Sequence, residues 1–261
     1  MKVVILAGGL GSRLEEETKY KPKPLVEICG IPILYHIMQI YIKHGFNDFI
    51  ICCGYKGNLI KKYFEKLVKK KNNNKFTFKK NFFELFEKNE KIFSVTCVNT
   101  GKNTMTGGRI KKIKKFINED HFFLTYGDGL ANINLKELLK FHKSHKKIAT
   151  LTSVQPPSRY GILGIDFKNK NKVLSFNEKP KNNNYYINGG FFVLSKKIFN
   201  FIKNDQTIFE KKPLINLVKK GELHSYFHKN FWQCMDSMRD KKILESYAKK
   251  NTVLPWFKNE R

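Results

Sequence analysis

The sequence predicts an α/β protein: a Rossmann-like, doubly wound, mainly parallel sheet with an added mixed β region over its ligand edge. Three observations predict it. Short apolar runs alternate with helical segments through residues 1–126. The first run, Lys2-Val3-Val4-Ile5-Leu6-Ala7, breaks into a glycine-rich turn, Gly8-Gly9-Leu10-Gly11-Ser12-Arg13. From about residue 148 the texture changes to closely spaced strand-like segments.

The elements follow in order. Residues 2–7 are apolar without alternation, the mark of a strand buried on both faces. A helix is expected over 33–41, with Pro32 at its first turn and His44-Gly45 at its end. Residues 49–53 read as a second buried strand and 59–68 as a helical run. A third strand is expected at 91–100, a basic helix at 108–117 and a fourth strand at 122–126, which stops at Gly127-Asp128-Gly129. Strand-like 148–154 is followed by hairpin-like material at 161–167 and 172–176, then by strands at 185–194, 223–227 and 231–235. We read one compact unit of 261 residues with two halves, 1–147 and 148–250. Residues 69–91, rich in Lys, Asn and Phe without clean periodicity, form an insertion. Its composition suits a solvated surface segment, while its phenylalanines argue for a docked one.

A formal charge of +28 invites a nucleic-acid reading. The cations are overwhelmingly lysine and spread along the chain, with arginine only at Arg13, Arg109, Arg159, Arg239 and Arg261. Specific readers lean on arginine and a localised stripe, so no specific nucleic-acid partner is expected. No segment approaches the roughly 18–20 apolar residues of a membrane span, and no signal peptide opens the chain. A cytoplasmic protein without a membrane partner is expected. The five cysteines include no C-x-x-C pair, and four lie in apolar runs, as reduced core residues would. His142-x-x-His145 and His224-x-x-x-His228 lack a third ligand and read as surface histidines.

The glycine turn carries the chemistry. Glycines let the backbone approach a phosphate, and their N–H groups can converge on its oxygens. The dinucleotide fingerprint would need its third glycine at Leu14, and the P-loop pattern has no match. What stands instead is G-G-x-G-x-R followed by Lys21-Pro22-Lys23-Pro24. Asp128 ends a buried strand, where a carboxylate is costly unless a cation balances it; Asp236, after the apolar 231–235, is its candidate partner. Magnesium favours one or two carboxylates together with substrate phosphates. For either acid alone, a helix N-cap is the plain alternative.

This combination resembles the sugar nucleotidyltransferases, also called nucleotide-sugar pyrophosphorylases, and implies their nucleotide-diphospho-sugar transferase fold. Phe176-Asn177-Glu178-Lys179-Pro180 matches the family's F-x-E-K-P element, and Tyr186-Ile187-Asn188-Gly189-Gly190-Phe191 its sugar-floor strand. Gly107-Gly108-Arg109, preceded by Thr104, matches the segment that touches base and ribose. The likeness is greatest to the branch that transfers CMP from CTP to glucose 1-phosphate. It is carried by Gly54-Tyr55-Lys56-Gly57, Met105-Thr106-Gly107-Gly108-Arg109, Gln155-Pro156-Pro157-Ser158-Arg159-Tyr160-Gly161 and Phe231-Trp232-Gln233. Cys234 departs from it, standing where a proline is usual, as does the 69–91 insertion.

The resemblance implies roles. Leu6, Ala7, Gly8, Gly9, Gly11 and Ser12 grip the nucleotide, with Thr104, Arg109, Gly127 and Asp128. Arg13 and Lys23 are the catalytic cations. Glu178, Lys179, Asn188 and Gly189 hold the sugar phosphate. Asp128 and Asp236 hold Mg²⁺. It further implies CTP and glucose 1-phosphate as partners, a homo-oligomer, and a product for deoxysugar or surface-polysaccharide synthesis. A related transferase using another nucleotide or sugar phosphate, and a non-catalytic regulatory subunit on the same fold, are the competing readings. The second is disfavoured because Arg13, Lys23 and Asp128 are all present.

Overall fold

Residues 3–7 offer no polar position to turn toward water, so the strand they form must be covered on both sides. The computed structural model, which describes residues 1–70, 76–79, 81–87, 90–156, 162–177 and 185–258, does this with two cores. In β1 (Lys2–Ala7), Val3, Ile5 and Ala7 join one core while Val4 and Leu6 join the other. After β1 the chain makes the short helix α1 (Glu15–Thr18) and a small β2 (Glu27–Ile28) and β3 (Ile31–Pro32) pair. Then come α2 (Ile33–Lys43), β4 (Asp48–Cys53) and α3 (Gly57–Lys70). The edge strands β5 (Phe76–Lys79) and β6 (Phe82–Glu87) lead into β7 (Glu90–Asn99). On the other face α4 (Thr106–Lys112) returns the chain to β8 (His121–Tyr126).

The first half ends with β9 (Gly129–Ala131) and α5 (Leu135–His145), and the second opens with β10 (Ala149–Val154) and a hairpin of β11 (Ile162–Asp166) and β12 (Lys172–Asn177). After these come β13 (Ile187–Ser195), α6 (Lys212–Lys219), β14 (Leu223–Phe227), β15 (Trp232–Cys234) and α7 (Met238–Lys250). One nine-stranded sheet runs in the order β14-β10-β13-β8-β1-β4-β7-β6-β5. Strands β8, β1, β4 and β7 are parallel, and β13 is antiparallel to both β8 and β10. The doubly wound, mainly parallel class is thus the observed one. Three strands of the second half extend the central sheet itself; among the described residues, the β11–β12 hairpin and the β9–β15 pair lie outside it.

One open sequence reading is decided and another changes. Within 69–91, the described residues form β5 and β6 on the sheet's edge, with Phe83 and Leu85 fully buried. Phe83 sits 6.0 Å from the Phe64 ring of α3, so the aromatics dock the segment. The histidines are not all on the surface either: His142 is fully buried and His228 nearly so. Among the described residues no helix is long and apolar enough to cross a membrane.

The topology fixes where a ligand belongs. From β1 the chain moves to β4 and β7 on one side, then crosses back to place β8 on the other. Sheets wound this way open a crevice at the carboxyl ends of the strands where the direction reverses. Here that point lies between Ala7 and Tyr126.

Candidate active site

A cavity of about 720 Å³ opens at this crevice. It is lined by Leu6, Ala7, Gly8, Gly9, Gly11, Ser12, Arg13, Lys23, Thr104, Arg109, Gly127, Asp128, Asn188, Gly189 and Asp236. The residues singled out from the sequence therefore gather around one cavity, apart from Glu178 and Lys179, which lie outside the described residues.

The first wall is the turn after β1. Gly11 adopts φ +68°, a left-handed conformation that favours glycine. Thr18 locks it by donating its hydroxyl proton toward Gly11 O (3.1 Å) and Leu14 O (3.0 Å). Lys23 is delivered by Pro22, whose extended backbone (ψ 149°) precedes a single 3₁₀ turn over Lys23–Leu25.

The opposite wall joins segments over a hundred residues apart. Strand β15 pairs antiparallel with β9, setting Cys234 opposite Gly129, and Met235 N–H donates to Asp128 O at 2.9 Å. This brings Asp236 beside Asp128. A capping box at the start of α7 then fixes Asp236: buried Asp240 accepts from the backbone N–H of Asp236 (3.1 Å) and of Ser237 (3.0 Å). Neither predicted acid caps a helix itself, since Ser237 is the N-cap of α7 and Asp128 lies in a turn.

Between the walls sits Lys23. Its ammonium donates to Asp128 Oδ2 and Asp236 Oδ1, each at 2.7 Å. Burial is the largest influence on this ammonium and alone would push its pKa down. Attraction and hydrogen bonding from Asp128, and then from Asp236, outweigh burial and hold it above the ordinary lysine value. Arg13 Nη1 lies 2.9 Å from Asp236 Oδ2, yet the Arg13 side chain is 74% exposed against 13% for Lys23. An exposed pair of this kind contributes little to stability, which leaves the guanidinium available to another anion.

Arg109 lines the cavity and also braces its wall. It stands behind the glycine turn, almost wholly buried. Its Nη2 donates to Gly8 O (2.9 Å) and Lys102 O (3.3 Å). Its Nη1 donates to Thr100 Oγ1 (2.6 Å), Gly101 O (2.8 Å) and Cys53 O (3.4 Å). One guanidinium thus ties together the carboxyl ends of β1, β4 and β7. A Cβ on Gly8 would lie 2.1 Å from Nη1, so the glycine makes room for the arginine as well as for any ligand. Thr104 is buried beside it, accepting from Lys112 Nζ at 3.2 Å.

Sequence reasoning missed several lining residues: Glu210, Ile208, Thr106, Tyr126, Trp232 and Gly190. Thr106, Gly190 and Trp232 stood inside quoted motifs and Tyr126 closed an expected strand, none of them with a role. Gly190 (φ +83°) exists for Tyr126, because a Cβ there would meet the ring at 2.7 Å. Trp232 Nε1–H donates to Gly189 O at 2.8 Å, tying the strand before Asp236 to the floor of the cavity. Glu210 carried no spacing signal; only the folded chain brings it to Thr106 and Tyr126.

Two hard carboxylate oxygens converging on one cationic point suit a small divalent ion such as magnesium, which completes its shell with phosphate and water. Asp128 and Asp236 are the residues that could hold it.

Comparison with known proteins agrees with this geometry. Residues 2–238 match the family model described as nucleotidyl transferase. The chain is 49% identical over 257 residues to a glucose-1-phosphate cytidylyltransferase of Salmonella typhi, covering 98% of each protein. Among solved structures, HddC from Yersinia pseudotuberculosis complexed with GMP-PN shares 28% identity at a TM-score of 0.65, over 94% of this chain and 98% of that one. A UDP-glucose pyrophosphorylase complexed with UDP-glucose shares the fold at a TM-score of 0.67, over 96% and 99% of the two chains, with 18% identity. By this likeness along nearly its whole length, the chain belongs to the nucleotidyl transferase family of enzymes.

Proposed function

We propose that the protein transfers CMP from CTP to α-D-glucose 1-phosphate, giving CDP-glucose and diphosphate, with Mg²⁺ as cofactor. The observation that carries this is the meeting of Arg13, Lys23, Asp128 and Asp236 in one cavity, between a glycine turn and the Asn188-Gly189 floor. The choice of cytidine and glucose is supported by the 49% identity to the Salmonella typhi cytidylyltransferase.

In this reaction a phosphate oxygen of the sugar phosphate attacks the α-phosphorus of CTP, and diphosphate departs with the bonding electrons. Both reactants are anions, so repulsion and alignment are the main obstacles, and no protein nucleophile is needed. Residues 8–12 cradle the triphosphate with backbone N–H groups. Lys23, kept cationic by its two carboxylates, bridges the α-phosphate and the incoming sugar phosphate. Arg13, largely in solvent, offsets charge growing on the leaving diphosphate. Asp128 and Asp236 hold the Mg²⁺, which supplies further neutralisation of the triphosphate when bound. Asn188 and Gly189 form the sugar floor, and Glu178 and Lys179 belong to the same half by the motif match.

The same reading divides the chain into a nucleotide half (1–147) and a sugar-phosphate half (148–250) sharing one sheet. It also carries a cytoplasmic homo-oligomer. The apolar Leu163, Val173, Leu174 and Phe176, left exposed on the β11–β12 hairpin, are in keeping with a subunit contact. A product destined for deoxysugar or surface-polysaccharide synthesis completes the proposal.

The test is diphosphate release from the purified protein given Mg²⁺, glucose 1-phosphate and each nucleoside triphosphate in turn. Release with CTP well above the others is expected. Release only with UTP, GTP or dTTP would move the base assignment and leave nucleotidyl transfer standing. No release with any nucleotide would remove the proposal.

A further inference from the structure

A carboxylate that nothing above uses stands at the junction of the two halves of the cavity. Glu210 lies just before α6, in a segment packed over the start of α4, and lines the cavity. Both its oxygens are engaged, and both by hydroxyl groups. Tyr126 donates its phenolic proton to Oε1 at 2.7 Å, and Thr106 donates to Oε2 at 2.6 Å. No lysine or arginine pairs with it among the described residues. The other two acids of the cavity, Asp128 and Asp236, hold Lys23 between them.

An ionised carboxylate can only accept, and that fixes the direction of every bond beyond it. The Tyr126 hydroxyl has one proton. Given to Glu210, it leaves only the phenolic lone pairs to face Asn188. Asn188 must then turn its Nδ2 toward Tyr126 (3.1 Å), and its Oδ1 accepts from Gly190 N–H at 2.9 Å. The second N–H of that amide is left for a ligand. On the other side, Thr106 gives its proton to Glu210 and so accepts from Phe209 N–H (2.9 Å). The phenol ring is braced: half-buried and packed edge-on to Phe192 at 5.9 Å, it crosses the face of Gly190. Burial, then the nearby Glu210 charge, pushes its pKa well above the ordinary tyrosine range, which keeps the proton on the oxygen.

We infer that Glu210 is a positioning residue for the sugar substrate: through the Tyr126 hydroxyl it anchors the Nδ2 end of the Asn188 amide, whose Oδ1 end Gly190 N–H holds, so that the remaining N–H is aimed at the sugar. This rests on the assignment of Asn188 to the sugar floor made above. Replacing the carboxylate by an amide keeps size and shape but supplies N–H donors of its own. The phenol then has no compelled direction: a proton turned toward Asn188 would meet its Nδ2–H, and the amide, held only at Oδ1 by Gly190 N–H, loses the bond that fixes its other end.

The test uses the full chain and a substrate pair that the wild type turns over. We expect Glu210→Gln to raise KM for glucose 1-phosphate about tenfold, the order set by losing one charge-assisted hydrogen bond. KM for CTP and the melting temperature should stay close to wild type. Tyr126→Phe keeps the ring and cuts the link, so it should reproduce the sugar KM effect. Because both act through one bond, the double variant should show little beyond either single one. An unchanged sugar KM in Glu210→Gln overturns the inference. So does an equal rise in both KM values with a lowered melting temperature, which marks a general structural strut, and so do fully additive single effects. A wild-type protein inactive on glucose 1-phosphate would instead strike at the proposed function, and this separates the two failures.

Discussion

The two ends of strand β8 both collect ionisable side chains, and they do so in opposite ways. At the carboxyl end, Asp128 and Asp236 close on the Lys23 ammonium at 2.7 Å each, so charge is present and balanced by charge. At the amino end, His121 begins a row of imidazoles with no carboxylate hydrogen-bonded to any of them among the described residues. Lys147 N–H donates to His145 Nδ1 (3.0 Å), which leaves the His145 proton on Nε2 for Thr150 Oγ1 (2.7 Å). Thr150 in turn can donate to His142 Nδ1 (2.8 Å), and His142 Nε2–H to His121 Nδ1 (3.0 Å). The His145 ring also stacks on His224 at 4.2 Å. Every member can be neutral and satisfied, so this end avoids charge. On the proposed function, the contrast separates a polar cluster suited to meet an anion from one suited to complete a core. Charge that is paired beside an open cavity can be lent to a ligand; a closed, neutral row cannot.

The harshest way to break this comparison is to remove the cation between the carboxylates. Lys23→Ala should lower kcat by roughly 10²–10³, by analogy with loss of one preorganised donor to a transition-state charge. Steady-state turnover at saturating substrates measures it. Near-normal turnover would mean that the carboxyl end of β8 is a structural cluster too.

A second, smaller effect probes what holds the site end rigid. Gly8→Ala drives a methyl into the guanidinium of Arg109, which is anchored by five acceptors at the ends of β1, β4 and β7. Overpacking of this kind typically costs about 1–3 kcal/mol. Gly9, with open space where its Cβ would be, should tolerate alanine within about 0.5 kcal/mol. Denaturant unfolding of the two variants makes the comparison. Equal losses would show that Arg109 yields freely and that the loop is not braced from behind.

Much of this end was readable in the chain. Apolar runs without alternation can only be doubly covered strands, so residues 2–7 and 49–53 announced β1 and β4 together with the parallel sheet. Gly11, Arg13 and Lys23 stood close enough in sequence for their meeting at one cavity to be expected. What stayed hidden depends on long-range pairing. Nothing local says that β13 slips between β8 and β10, that the β9–β15 pair carries Asp236 to Asp128, or that Glu210 reaches Tyr126 across 84 residues. The Phe-rich stretch near 82–86 gave only half a message. Its aromatics implied docking, but the edge of β7 that receives them is a tertiary fact. His142 misled for a related reason. Its polar type and its lysine neighbour suggest surface, while the face of α5 on which it sits is turned to Thr150 and the sheet.

That buried histidine supplies the mildest and sharpest test of the opening contrast. Burial, followed by the charges its neighbours His121, His145 and Lys143 would carry, pushes the His142 pKa down to about 3. The unfolded chain, with an ordinary imidazole near 6.5, therefore binds more protons than the folded one between those two values. Stability contributed by the neutral ring is complete above about pH 6.5 and drains away as the solution is acidified through that window. One proton sets a slope of up to about 1.4 kcal/mol per pH unit. Urea unfolding of wild type at pH 7, 6 and 5 should show the decline. His142→Gln, which can still bond Thr150 and His121 but cannot take up a proton, should flatten it by about one proton's worth. A variant that kept the full wild-type slope would place the acid sensitivity elsewhere. The two ends of β8 would then differ less in kind than their geometry implies.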